Sequence, residues 1–182
     1  MAASFVLNFM IYFSSHYTLG PAELLLGGKR TGIKGLEFVF DSGSSYTYFN
    51  AEAYQSMLDQ MRMDLVGKPL KDAPEDNELA VCWKLAKPIK TVRDINSYFK
   101  PLTLKFTNSN SKNVQLELTP EDYLIISKHG NLCLGILNGT EQGLGNLNVI
   151  GDIFLQDKMV IYDNEREQLG WFSANCDRLP KS

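Results

Sequence analysis

Phe38-Val39-Phe40-Asp41-Ser42-Gly43-Ser44-Ser45 puts a carboxylate where a three-residue apolar run stops at a glycine-containing turn. The run reads as a short buried strand, and Asp-Ser-Gly ends it. Gly43 lets the backbone approach the Asp41 carboxylate and donate its N–H. Ser42 and Ser44 are short hydroxyl donors suited to holding that carboxylate. Taken alone, the tetrapeptide also describes an ordinary Asx turn.

Its surroundings say more. Tyr46-Thr47-Tyr48-Phe49 leads to Asn50, a residue type that caps helices, with Glu52 in the favourable first turn. Tyr54, Met57, Leu58, Met61 and Leu65 then recur at helical spacing, and Gly67 and Pro69 stop the helix. Helical spacing alone explains this apolar face as core. Far downstream, Asn148-Val149-Ile150-Gly151-Asp152-Ile153-Phe154 supplies a second apolar-apolar-Gly element.

The remaining apolar segments are short and divided by turn chemistry, which favours a β-rich domain. Leu24-Leu25-Leu26, Gly27-Gly28-Lys29-Arg30 and Thr31-Gly32-Ile33 read as strand, turn, strand. Leu102–Phe106 and Val114–Leu118 alternate as half-buried strands do, joined by a loop from Thr107 to Asn113. Tyr123–Ile126 and Leu132–Ile136 flank a polar hairpin turn, Ser127–Asn131. Met159–Tyr162 and Leu169–Phe172 flank another, Asp163–Gln168. Residues 68–80 are polar and acidic and read as a surface loop. The expected fold is all-β, mostly antiparallel, with one long and a few short helices.

Composition narrows the function classes. The chain has 182 residues, 44% hydrophobic and 21% charged, with net charge −3. That is ordinary globular usage for one domain. Lys and Arg are scattered, so no nucleic-acid partner is expected. Cys82, Cys133 and Cys176 include no C-x-x-C pair, and only His16 and His129 are present, so no metal site is expected. An odd cysteine count fits one internal bridge and one left-over thiol in a secreted protein, or three buried thiols in a cytosolic one. His129 lies in a polar turn and His16 near the amino end, which does not suit a Ser-His-Asp triad. Gly27-Gly28-Lys29 lacks the spacing of a phosphate loop. Met1–Ser15 is apolar and uncharged. It has the length of a signal's apolar region but no clear basic flank or cleavage site, and is too short for a confident membrane span. It reads as a signal segment or as part of a truncated domain, with residues 16–182 forming the lobe. Asn138-Gly139-Thr140 fits a glycosylation acceptor, conditional on secretion.

Asp41-Ser42-Gly43-Ser44 and Val149-Ile150-Gly151, in that order and distance, resemble the carboxy-terminal lobe of pepsin-type aspartic proteases. In that family an apolar-Gly strand crosses beside the aspartate loop in a psi-shaped motif. The segments Asp41–Phe49, Val81-Cys82-Trp83-Lys84 and Cys133-Leu134-Gly135-Ile136-Leu137 are most similar to plant nucellin-like and related atypical members. The resemblance runs from about Tyr17 to the end of the chain. It implies an endopeptidase using water activated between two aspartates, with no cofactor and with a peptide or protein as substrate. Asp41 would be one catalytic aspartate. Ser42 would help lock two active-site loops together, and Ser44 would hydrogen-bond the Asp41 carboxylate. Cys82 and Cys133 would form the internal disulfide, leaving Cys176 free or paired with the other lobe. A secretory route, extracellular or vacuolar, goes with this.

The chain departs from the family in one central respect. It contains no second Asp-(Ser/Thr)-Gly. Asp94, Asp152 and Asp163 are followed by neither the hydroxyl nor the glycine. An amino-terminal lobe or a second copy is needed to complete such a site. The alternatives are a non-catalytic binding or inhibitor-like protein on the same fold, or an inactive truncated lobe.

Overall fold

The computed structural model describes residues 17–107 and 113–176. Met1–Ser15, His16 and most of the loop after Thr107 lie outside the described residues. The elements in order are β1 (Thr18–Leu26), β2 (Lys29–Phe40), β3 (Thr47–Phe49), α1 (Ala51–Leu65), β4 (Lys71–Asp72), β5 (Cys82–Lys84), β6 (Leu102–Thr107), β7 (Asn113–Leu118), β8 (Leu124–Ile126), β9 (Leu132–Leu134), β10 (Ile136–Asn138), β11 (Asn148–Ile150), α2 (Asp152–Leu155), β12 (Lys158–Asp163) and β13 (Gln168–Ser173). Two 3-10 turns, Val92–Tyr98 and Pro120–Asp122, complete them. The fold is therefore mostly β with few helices.

A seven-stranded sheet carries the site, in the order β10-β3-β11-β2-β1-β6-β7. Phe38-Val39-Phe40 is not an isolated short strand. It is the inner end of the twelve-residue β2, whose outer half is largely exposed and whose last three residues are buried. Phe38 packs edge-on against Phe49 at 5.5 Å and Phe106 at 6.4 Å between ring centroids. Phe40 stacks on Trp171 at 5.9 Å. These rings anchor the strand end that delivers Asp41.

The helix α1 forms where periodicity places it. The Asn50 side chain accepts the Ala53 N–H at 3.0 Å, and Tyr54, Met57, Leu58, Met61 and Leu65 are all buried. The last helical residue is Leu65, with Val66 as C-cap and Gly67 following at φ +79°. The helix lies against β2, β3 and β10.

A second sheet, β4-β5-β9-β8, holds the disulfide between Cys82 and Cys133, 51 residues apart in sequence. Closing a loop of that length removes about 4 kcal/mol of entropy from the unfolded chain in the loop-entropy treatment. The apolar run Leu132–Ile136 is divided by Gly135: Leu132–Leu134 joins the second sheet and Ile136 joins the first. A Cβ at Gly135 would stand 2.2 Å from the Ile153 side chain. Glycine leaves room there for the terminal methyl of Ile153, which a larger residue would displace.

Residues 68–80 are not simply a surface loop. They contain β4, and Ala73 and Asp76 are buried. The Asp76 carboxylate accepts the Ser127 hydroxyl at 2.5 Å, the Asn131 amide at 2.8 Å and the Glu78 N–H at 3.2 Å. Glu78 in turn accepts the Lys128 N–H at 3.1 Å. The segment is thus fastened to the 127–131 turn. Asp76 lies beside Cys82 and Cys133, but disulfide sulfurs are not thiolate ligands, so the trio is a structural knot. The Ser127 hydroxyl above all, then Asn131 and Glu78, hold the Asp76 carboxyl below the usual range against the opposing effect of burial.

A group depressed on folding contributes stability that is complete above its unfolded pKa, about 3.9, and is lost as pH falls through the folded value. Exchange protection in residues 73–82, corrected for the intrinsic pH dependence of exchange, is therefore expected to fall below about pH 4. In Asp76→Asn that acid dependence will be flattened. An unchanged profile would exclude Asp76 as the acid-sensitive fastening.

Candidate active site

β11 runs parallel to β2, pairing Asn148 with Phe38, Val149 with Val39 and Ile150 with Phe40. It pairs antiparallel with β3 on its other side, Val149 opposite Tyr48. The strand therefore passes between the two arms of the loop that starts at Asp41. The Asp41 N–H donates to the Ile150 carbonyl at 3.0 Å. The Asp152 and Ile153 N–H groups donate to the Ser44 and Ser45 carbonyls at 2.7 and 3.2 Å. Val149, Ile150 and Gly151 are thus joined to both ends of the aspartate loop, in a psi-shaped crossing.

Gly151 sits where no side chain fits. A Cβ there would stand 2.0 Å from the Tyr46 carbonyl oxygen and 2.7 Å from that of Ser44. Its N–H donates to the hydroxyl of fully buried Thr47 at 3.1 Å. Thr47→Val preserves shape but leaves that N–H buried without a partner. The expected loss is about 1–3 kcal/mol, read from the urea midpoint.

Asn148 adds a second brace. Its side chain accepts the Asn50 N–H at 2.8 Å and donates to the Glu37 carbonyl at 3.0 Å. It ties the start of α1 to β2 across the crossing. The requirement for glycine at the crossing was visible in Val149-Ile150-Gly151, but the clamps by Thr47 and Asn148 were not. Each joins positions about a hundred residues apart in sequence.

The Asp41 carboxylate emerges exposed at the rim. One oxygen accepts the Gly43 N–H at 3.0 Å and the other the Ser44 hydroxyl at 2.7 Å. Both donors come from the same turn, so the carboxylate is positioned without help from elsewhere in the chain. Ser42 plays no part in holding it, since its side chain is exposed and makes no hydrogen bond among the described residues. The local turn directs the Ser44 hydroxyl at Asp41 and leaves that of Ser42 to a groove of about 600 Å³, whose lining includes Asp152, Asp157, Lys158, Tyr162 and Cys176. Cys176 is a free, exposed thiol.

Beside this rim Tyr162 packs against Tyr17 with ring centroids 4.4 Å apart. Burial pushes the Tyr162 phenol up, and the nearby Tyr17 and Asp41 push in the same direction. It is a neutral hydroxyl at any physiological pH. Lys158 and Asp122, both mostly shielded, pair at 2.5 Å and pin β12 to the 120–122 turn. His129 is exposed, and Asn138 is half-buried at the end of β10.

No helix among the described residues is long and apolar enough to cross a membrane. The xylanase inhibitor C-terminal family matches residues 19–173. An aspartic proteinase of Oryza sativa subsp. indica is 43% identical over 174 residues, which is 92% of this chain and 42% of that protein. The aspartic proteinase nepenthesin-1 of Nepenthes gracilis is 25% identical over 170 residues, covering 93% of this chain and 35% of that protein. The crystal structure of basic 7S globulin from soybean aligns over 91% of this chain and 39% of that one, with TM-score 0.67 and 14% identity, a likeness of fold. The chain spans less than half the length of each of these. With its single aspartate loop threaded by the apolar-Gly strand, it belongs to the pepsin-like aspartic protease family, as a C-terminal domain of the xylanase-inhibitor type.

Proposed function

We propose that this chain is the carboxy-terminal lobe of an aspartic endopeptidase, in which Asp41 is one of two catalytic carboxylates. The observation that carries this reading is the Asp41 carboxylate itself. It is exposed at a braced rim, held by Gly43 and Ser44.

The chemistry follows from pairing. Two carboxylates brought close together cannot both stay ionised, so they hold one proton between them and titrate as a unit. The ionised member takes a proton from a water molecule, and the protonated member polarises the peptide carbonyl. A lone carboxylate fills only one of these roles. The partner is therefore an amino-terminal lobe bearing its own aspartate, or a second copy related by two-fold symmetry. Ser42, whose hydroxyl makes no hydrogen bond among the described residues, would engage the opposing loop. The substrate is an extended peptide lying between the lobes. The buried disulfide favours a secretory route, extracellular or vacuolar.

The test is peptidase activity from acid to neutral pH for the purified chain, alone and mixed with the amino-terminal lobe of a close relative. Activity only in the mixture is expected. Activity of the chain alone, rising with the square of its concentration, would put a second copy in the partner's place. Silence in both settings would favour a non-catalytic binding role. That second reading draws support from the inhibitor description of the matching family and from the fold likeness to basic 7S globulin.

A further inference from the structure

We propose that Asn138 carries an N-linked glycan that shields the exposed turn after β10 and its neighbour Leu147. Asn138-Gly139-Thr140 is the single Asn-X-Ser/Thr triplet in the sequence. It sits at the end of β10, the terminal strand of the seven-stranded sheet among the described residues. β10 pairs on one side with β3; on the other, Ile136 is fully buried and the Gln142 N–H donates to the Asn138 carbonyl at 3.2 Å, so the chain turns back at Asn138 and leaves the turn after it in solvent.

The geometry at the triplet suits a bulky polar attachment. The Asn138 side-chain oxygen accepts the Thr140 N–H at 3.2 Å, while the amide nitrogen has no hydrogen-bond partner among the described residues. Residues 140–143 are all exposed, so a sugar on that nitrogen leads to solvent. Leu147, one of the few large apolar side chains left in water, is 52% exposed. Its carbonyl lies 3.3 Å from where a Cβ on Gly139 would stand, so the residue borders the triplet. The disulfide Cys82–Cys133 points independently to the same compartment. Disulfides form and persist in the oxidising secretory lumen, where N-glycans are attached.

The co-reactant is a lipid-linked oligosaccharide pyrophosphate. The Asn138 amide nitrogen forms a bond to the first sugar's anomeric carbon and loses one proton. The bond from that carbon to the pyrophosphate oxygen breaks, and the lipid pyrophosphate leaves. The inference is independent of whether Asp41 is catalytic.

The experiment uses the full chain behind a secretory leader in eukaryotic cells, with Asn138→Gln and Thr140→Ser variants. Total cell-associated and secreted protein is analysed by intact mass before and after peptide-N-glycanase. Because the sugar is added before folding is complete, a variant that misfolds is still scored. The expected result is a glycanase-sensitive mass in the wild type and Thr140→Ser, absent in Asn138→Gln, with Asn138 converted to aspartate by the enzyme. An unshifted wild-type chain in the secretory lumen would overturn the site. Native deglycosylation is expected to raise the aggregation rate several-fold, and an unchanged rate would overturn the shielding role.

Discussion

Asp41→Asn will abolish peptide cleavage in the two-lobe assembly while leaving this lobe folded. The expected fall in kcat is on the order of 10²–10⁴-fold, the scale of losing a positioned acid or base. The fold should survive because the substitution is nearly isosteric and its contacts are local. An asparagine oxygen still accepts the Gly43 N–H, and its amide can face the Ser44 hydroxyl, which accepts as well as donates. Asp41 is also exposed, so no buried charge is removed. The stability change should stay within about 1 kcal/mol. Thermal melts of the lone variant and kinetics of the assembly check the two halves separately. Activity retained within about threefold of wild type would remove Asp41 from the acid–base step.

Gly151→Ala will do the reverse and damage the fold itself. The added methyl group would stand 2.0 Å from one backbone carbonyl oxygen and 2.7 Å from another. Neither is the flexible end of a side chain. To make room, β11 must move away from the 44–46 backbone, breaking the bonds from Asp152 and Ile153 to Ser44 and Ser45. The loss should reach or exceed the upper end of the ~1–3 kcal/mol seen for overpacked interiors. Gly143→Ala is the control. Gly143 has a positive φ, +81°, but faces open space, so its cost is conformational only. Urea midpoints of the two variants should differ clearly. Equal midpoints would mean that the crossing yields without penalty.

Local and distant contacts differ in the same way in how far the sequence reveals them. The helical period of Tyr54, Met57, Leu58, Met61 and Leu65 and the Asn50 cap are local patterns. The α1 they predict forms with that face buried. Asp41 and its two donors lie within four residues, so their hydrogen bonds follow from one turn. The roles of distant residues were not visible in this way. The acidic stretch 68–80 reads as solvent-facing because Asp76 finds its partners, Ser127 and Asn131, 51 and 55 residues further along the chain. Leu132–Ile136 reads as one strand because nothing local marks the change of sheet at Gly135. Ser42 and Ser44 look equivalent in sequence, and backbone direction at the turn makes them different.

By itself, then, the sequence determined the residue types, the capped helix, the β-rich class and the single Asp-Ser-Gly-Ser loop. Short-range geometry is enough to specify each of these. The resemblance implied that the apolar-Gly strand crosses beside the aspartate loop; only the tertiary structure decided its pairing between β2 and β3 and that Thr47 and Asn148 clamp the crossing. Those outcomes depend on contacts between positions about a hundred residues apart, whose pairing is chosen by the collective packing of the core and not by any local preference.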